Sequence, residues 1–135
     1  MHRRTFLTAS AAALLAPFAA RAATDYTPGL VKQHLAKGDI VFLDFSATWC
    51  ATCATQERVV NELIDENPAY GETITFIKVD WDTYRKAELT KSLKIPRRST
   101  LVVLKGDQEL GRIVAGTSKS QIKGLLDTAL SAANA

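Results

Sequence analysis

The chain has 135 residues, with 17 Lys and Arg, 14 Asp and Glu and two cysteines. Arg3, Arg4 and Arg21 account for the whole net charge of +3, so residues 23–135 hold 14 charges of each sign and offer no basic field for nucleic acid. A structural zinc site needs four nitrogen or sulfur ligands, and beyond the two cysteines the sequence offers only His34 and His2, the latter within the N-terminal 22 residues.

Residues 1–22 read as an export signal peptide. Arg3-Arg4 followed by Thr5-Phe6-Leu7 resembles a twin-arginine leader. Thr8 to Ala20 is apolar and alanine-rich but shorter than the roughly 20 residues a membrane span needs. Ala20-Arg21-Ala22 fits a small-x-small cleavage site, which puts the mature N-terminus at Ala23 and the protein in the bacterial periplasm, an oxidising compartment.

Residues 23–135 suffice for one domain with one core. Ala23 to Pro28 is a lead-in, and Leu30, Val31 and Leu35 mark a first helix ending near Gly38. Ile40 to Phe45 is a nearly continuous apolar run, the pattern of a strand covered on both faces, interrupted by Asp44. A helix from Cys50 turns Val59, Val60, Leu63 and Ile64 inward and stops before Asn67-Pro68. Thr73 to Val79 reads as a second buried strand, and Asp82 as the N-cap of a helix running to about Leu93. Thr100 to Leu104 and Leu110 to Val114 form a hairpin across Lys105-Gly106-Asp107. Ser118 and Gln121 form a capping box for a last helix, whose inward stripe is Ile122, Leu125, Leu126, Ala129 and Leu130. This order predicts an α/β fold, with parallel strands first and an antiparallel pair last.

Trp49-Cys50-Ala51-Thr52-Cys53 carries the chemistry. With a helix beginning there, Cys50 lies at its N-terminus and Cys53 one turn on, close enough for a disulfide. The helix N-terminus stabilises an anion, so Cys50 is the attacking thiolate and Cys53 the resolving thiol. A structural disulfide and two unrelated buried cysteines are the bland alternatives; a loop this short gives a structural disulfide little entropy to remove. The site also falls where a strand feeds a helix, at the carboxyl edge of the sheet.

From Leu43 to Cys53 the sequence resembles the thioredoxin strand-to-helix motif, and the resemblance extends over nearly all of residues 23–135. It implies a thioredoxin-like fold, a central mixed β-sheet flanked by helices, and a redox-active Cys50-Cys53 disulfide with no prosthetic group. By the same match Asp44 lies beneath Cys53 as its proton acceptor, Lys78 is the buried partner of Asp44, Trp49 shields the dithiol, and Gly116 lets a substrate backbone pass close. The family places a cis-proline before a Thr-plus-apolar strand. Here that strand is Thr100 to Leu104, so the ungapped position is Ser99, facing the cysteines, and Pro96 falls three residues early. Cis geometry before a non-proline residue costs about 2.5–4 kcal/mol, which puts the family's cis bond in question. Arg98, in the pair Arg97-Arg98, stands where an apolar residue is usual; a guanidinium near Cys50 would support the thiolate, and the alternative is a solvated basic loop. His34 reads as a surface or half-buried helix residue, and Trp81 and Tyr84 as packing or site-lining groups.

These readings converge on a monomeric periplasmic thiol-disulfide oxidoreductase that reduces or isomerises protein disulfides and draws electrons from a membrane donor. The rival is a metal-handling protein in which Cys50 and Cys53 bind a soft ion such as copper, helped by Ser99 in place of proline.

Overall fold

The computed structural model describes residues 23–135; the export signal expected at residues 1–22 lies outside them. In chain order the elements are β1 (Thr24–Asp25), α1 (Leu30–Ala36), β2 (Ile40–Ser46), α2 (Ala51–Glu66), α3 (Ala69–Thr73), β3 (Thr75–Asp80), α4 (Trp81–Tyr84), α5 (Glu88–Ser92), β4 (Thr100–Lys105), β5 (Gln108–Val114) and α6 (Lys119–Ala133). The five strands form one sheet in the order β1-β3-β2-β4-β5. β3 runs parallel to β1 and β2, whereas β4 is antiparallel to both β2 and β5. This is the mixed α/β sheet that the element order predicts.

β2 is central because it is apolar on both faces, and alternation sends its side chains to two different cores. Ile40 and Phe42 face α2, α3 and α6, packing with Val59, Leu63, Tyr70, Ile122 and Leu126. Val41, Leu43 and Phe45 face the other side, with Val31, Ile77, Ile95 and Val102. Asp44 therefore belongs to the face that α2 covers, following Ile40 and Phe42 in that row. In α6 the stripe of Ile122, Leu125, Leu126 and Ala129 is buried, and each leucine-sized side chain there contributes about 1.5–3 kcal/mol through burial.

Two features differ from the sequence reading. The single helix expected from Asp82 to Leu93 is two short helices, α4 and α5, and the cap is Asp80, whose Oδ2 accepts from Thr83 N–H at 3.2 Å and from Thr83 Oγ1 at 2.5 Å. β3 extends to Asp80, so the helix starts directly at the strand end and Asp82 is left free for another contact. The chain also forms β1 within the expected lead-in and a short α3 after Pro68, neither of which has enough residues to show a period.

Candidate active site

β2 ends at Ser46, and Ala47 to Trp49 carry the chain into α2, with Cys50 as the N-cap. Cys50 and Cys53 are disulfide-bonded, with Cα atoms 5.3 Å apart. Cys50 Sγ also accepts from the Cys53 N–H at 3.2 Å, in the manner of a capping hydroxyl oxygen. One of the free N–H groups of the first turn thus points at the sulfur that a thiolate would occupy. Both cysteines are buried and pack with Ala47 and the partly buried Trp81.

Ser99 sits directly against the sulfurs. Its Oγ lies 3.2 Å from Cys50 Sγ and 3.1 Å from Cys53 Sγ. Its peptide bond to Arg98 is trans, and the residue adopts a left-handed backbone with φ 61°. Its N–H donates to Phe45 O at 2.7 Å, and its carbonyl accepts from Ala115 N–H at 2.8 Å and from Gln56 Nε2 at 2.9 Å. Thr100, next in the chain, is buried and ties the loop down by donating from Oγ1 to Arg97 O at 2.7 Å.

Gln56 was not singled out by the sequence reading, although its position is informative. It follows Cys53 by three residues and precedes Val59 by three, on the buried face of α2, where a polar side chain needs partners. Its amide donates at 2.9 Å to the carbonyls of both Ser99 and Gly116, joining the two loops that flank the dithiol. Gln56→Leu keeps the volume but removes both bonds. The expected loss is about 1–2 kcal/mol in a denaturant titration, because the Gly116 carbonyl loses this donor and the Ser99 carbonyl is left with Ala115 N–H alone. Gly116 itself has little room: a Cβ there would stand 2.7 Å from Ile113 Cγ2, so close packing alone accounts for the glycine.

Trp49 is exposed beside the dithiol and held from two sides. Its Nε1 donates to Asp82 Oδ2 at 2.9 Å, and the Arg98 guanidinium carbon stacks 4.4 Å from its ring centroid. Arg98 is therefore directed at the tryptophan face, and Asp82 serves as an anchor for that ring. His34 bonds Asp39 at 2.8 Å on α1, and Tyr84 packs edge-on against Tyr26.

Asp44 is the unusual ionisable group. Its Oδ1 is enclosed without a hydrogen-bond partner, and burial raises its pKa from 3.8 to about 7, with the Lys78 charge pulling it down and Glu57 pushing it up. The resemblance makes Lys78 the partner of Asp44, but the structure pairs Lys78 with Glu57, at 3.1 Å. Lys78 lies opposite Asp44 in the β2/β3 register, and its long side chain reaches the more exposed carboxylate on α2, where both charges keep their hydration. Asp44, Glu57 and Lys78 line a cavity of about 240 Å³ whose walls include Phe42, Val60 and Phe76. Neither cysteine lines it, so it gives water a way to the carboxyl rather than a substrate a way to the sulfurs.

Comparison with known proteins agrees with this geometry. The thioredoxin family model matches residues 15–128. The chain belongs to the thioredoxin family. It is 33% identical over 89 residues to Thioredoxin H2-1 of Oryza sativa subsp. japonica, covering 66% of this chain and 59% of that one. It is 32% identical over 95 residues to a thioredoxin of Coprinus comatus, covering 69% and 83%. Among solved structures, Trxlp from Edwardsiella tarda EIB202 superposes with a TM-score of 0.66 at 31% identity, covering 77% of this chain and 98% of that one. The fold is thioredoxin-like, and the protein is a thiol-disulfide oxidoreductase of the thioredoxin type with Cys50 and Cys53 at disulfide distance.

Proposed function

We propose that this thioredoxin is exported to the periplasm, where it works as a monomer to reduce or isomerise protein disulfides and is recharged by a membrane dithiol donor. The observation that carries the reading is Cys50 at the N-cap of α2, its sulfur already accepting the Cys53 N–H, beside an exposed Trp49. The reaction needs no prosthetic group. The Cys50 thiolate attacks a substrate disulfide, forming a mixed disulfide and releasing one substrate thiolate. Cys53, losing its proton to Asp44, then attacks Cys50 Sγ. This forms the Cys50-Cys53 disulfide and releases the second substrate thiolate, which takes up a proton. Two electrons pass to the substrate, and the donor's dithiol returns them. The cavity at Asp44 lets the proton exchange with water. Arg98 and Trp49 form the ledge against which substrate lies.

The purified protein should reduce insulin disulfides in the presence of dithiothreitol. A reporter fused after Ala22 should reach the periplasm and be retained in the cytoplasm when Arg3 and Arg4 are both replaced by Lys. Absence of insulin reduction refutes the activity, and export that is indifferent to the two arginines refutes the route.

A further inference from the structure

We propose that Ser99 sets the redox poise of this dithiol, its hydroxyl donating to the Cys50 thiolate and accepting from the Cys53 thiol whenever the pair is reduced. This rests on the oxidoreductase reading and deepens it. The Ser99 backbone is fully engaged, N–H to Phe45 and carbonyl to Ala115 and Gln56, and the side chain is buried. The partners of the hydroxyl are the two sulfurs, at 3.2 and 3.1 Å.

The asymmetry between redox states follows from counting protons. In the disulfide neither sulfur carries a hydrogen, so the single hydroxyl proton serves one contact and the other remains a bare approach of two acceptors. In the dithiol state Cys50 is an anion and Cys53 keeps its hydrogen, so both contacts become hydrogen bonds: Cys53 S–H to Ser99 Oγ, and Ser99 O–H to Cys50 S⁻. The second of these is charge-assisted, roughly twice as strong as a neutral bond. The reduced form therefore gains more from Ser99 than the disulfide does, and a couple whose reduced form is stabilised is more oxidising. When Cys50 enters a mixed disulfide its charge disappears, and the same proton is free to turn to Cys53 as that thiol becomes the attacking thiolate. Stabilising that anion favours resolution.

The left-handed backbone supplies the aim. A serine at φ 61° is strained relative to glycine, yet glycine would bring no hydroxyl to the sulfurs. Removing the hydroxyl with and without relief of that strain separates the two contributions. In Ser99→Ala and Ser99→Gly, the equilibrium with glutathione should shift about tenfold toward the disulfide when measured above the titration midpoint of Cys50. A tenfold shift corresponds to about 30 mV for this two-electron couple. Thiolate absorbance should show Cys50 ionising about tenfold less readily in both variants. A shift in Ser99→Ala that is missing in Ser99→Gly assigns the effect to backbone strain and overturns the proposal, as does an unchanged equilibrium and titration in both. Either result leaves insulin reduction by the wild-type protein standing. Loss of dithiol chemistry in the wild type would instead overturn the oxidoreductase reading on which the proposal rests.

Discussion

Replacing Cys50 with Ser abolishes insulin reduction, with a loss on the order of 10³-fold or more, because a serine hydroxyl at a helix N-terminus does not ionise near neutral pH and no other thiol occupies its place. Cys53→Ser gives a different defect. The Cys50 thiolate still attacks, but nothing resolves the product, so mixed disulfides with substrate accumulate and are visible on non-reducing gels. The contrast follows from position: Cys50 caps α2 and its sulfur accepts an amide N–H, whereas Cys53 is inside the first turn and almost fully buried. Trapping by Cys50→Ser in place of Cys53→Ser would reverse the assigned roles. Neither variant should unfold the protein, since the core clusters on both faces of the sheet do not include the disulfide.

The parts of the site that could be read in the sequence are those governed by local rules. A buried strand pattern delivering into Cys-x-x-Cys places Cys50 at a helix N-terminus, and the strand beginning at Thr100 brings Ser99 to the same edge, since Phe45 and Thr100 are paired across β2 and β4. Asp44 stood out because a carboxylate interrupts an apolar run. Partner choice across the fold was harder to read. Glu57 lies 21 residues from Lys78, and its capture of that ammonium depends on the height of α2 above β3, which no spacing rule reports. Asp80 and Asp82 are two residues apart at a strand end, and only the final residue of β3 decides which of them caps the helix and which holds Trp49. Gln56 was visible in principle, as a polar residue on the apolar face of an amphipathic helix, but its two acceptors come from loops 43 and 60 residues away.

Asp44→Asn is expected to stabilise the protein and slow it down. With a folded pKa of about 7 against an unfolded value near 3.9, the folded protein holds a proton that the unfolded chain has released, between roughly pH 4 and about 7. Stability therefore falls as pH rises through that window, and above it the buried carboxylate destabilises the fold. An amide at this position does not ionise. At pH 8 Asp44→Asn should gain on the order of 4 kcal/mol in denaturant unfolding, with the gain shrinking toward zero near pH 4. Lys78 and Glu57 act on the carboxyl in opposite directions, so Lys78→Met should enlarge the gap and Glu57→Gln should narrow it. The kinetic cost is separate. Without a proton acceptor, resolution by Cys53 should slow about 10²- to 10³-fold while the first attack by Cys50 is almost unchanged, so mixed disulfide accumulates during turnover. In the wild type the resolution rate should climb with pH and level off above about 7, and in Asp44→Asn that inflection should vanish. A variant that is no more stable at pH 8 and turns over at the wild-type rate would show that the enclosed carboxyl is neither costly to the fold nor used by the reaction.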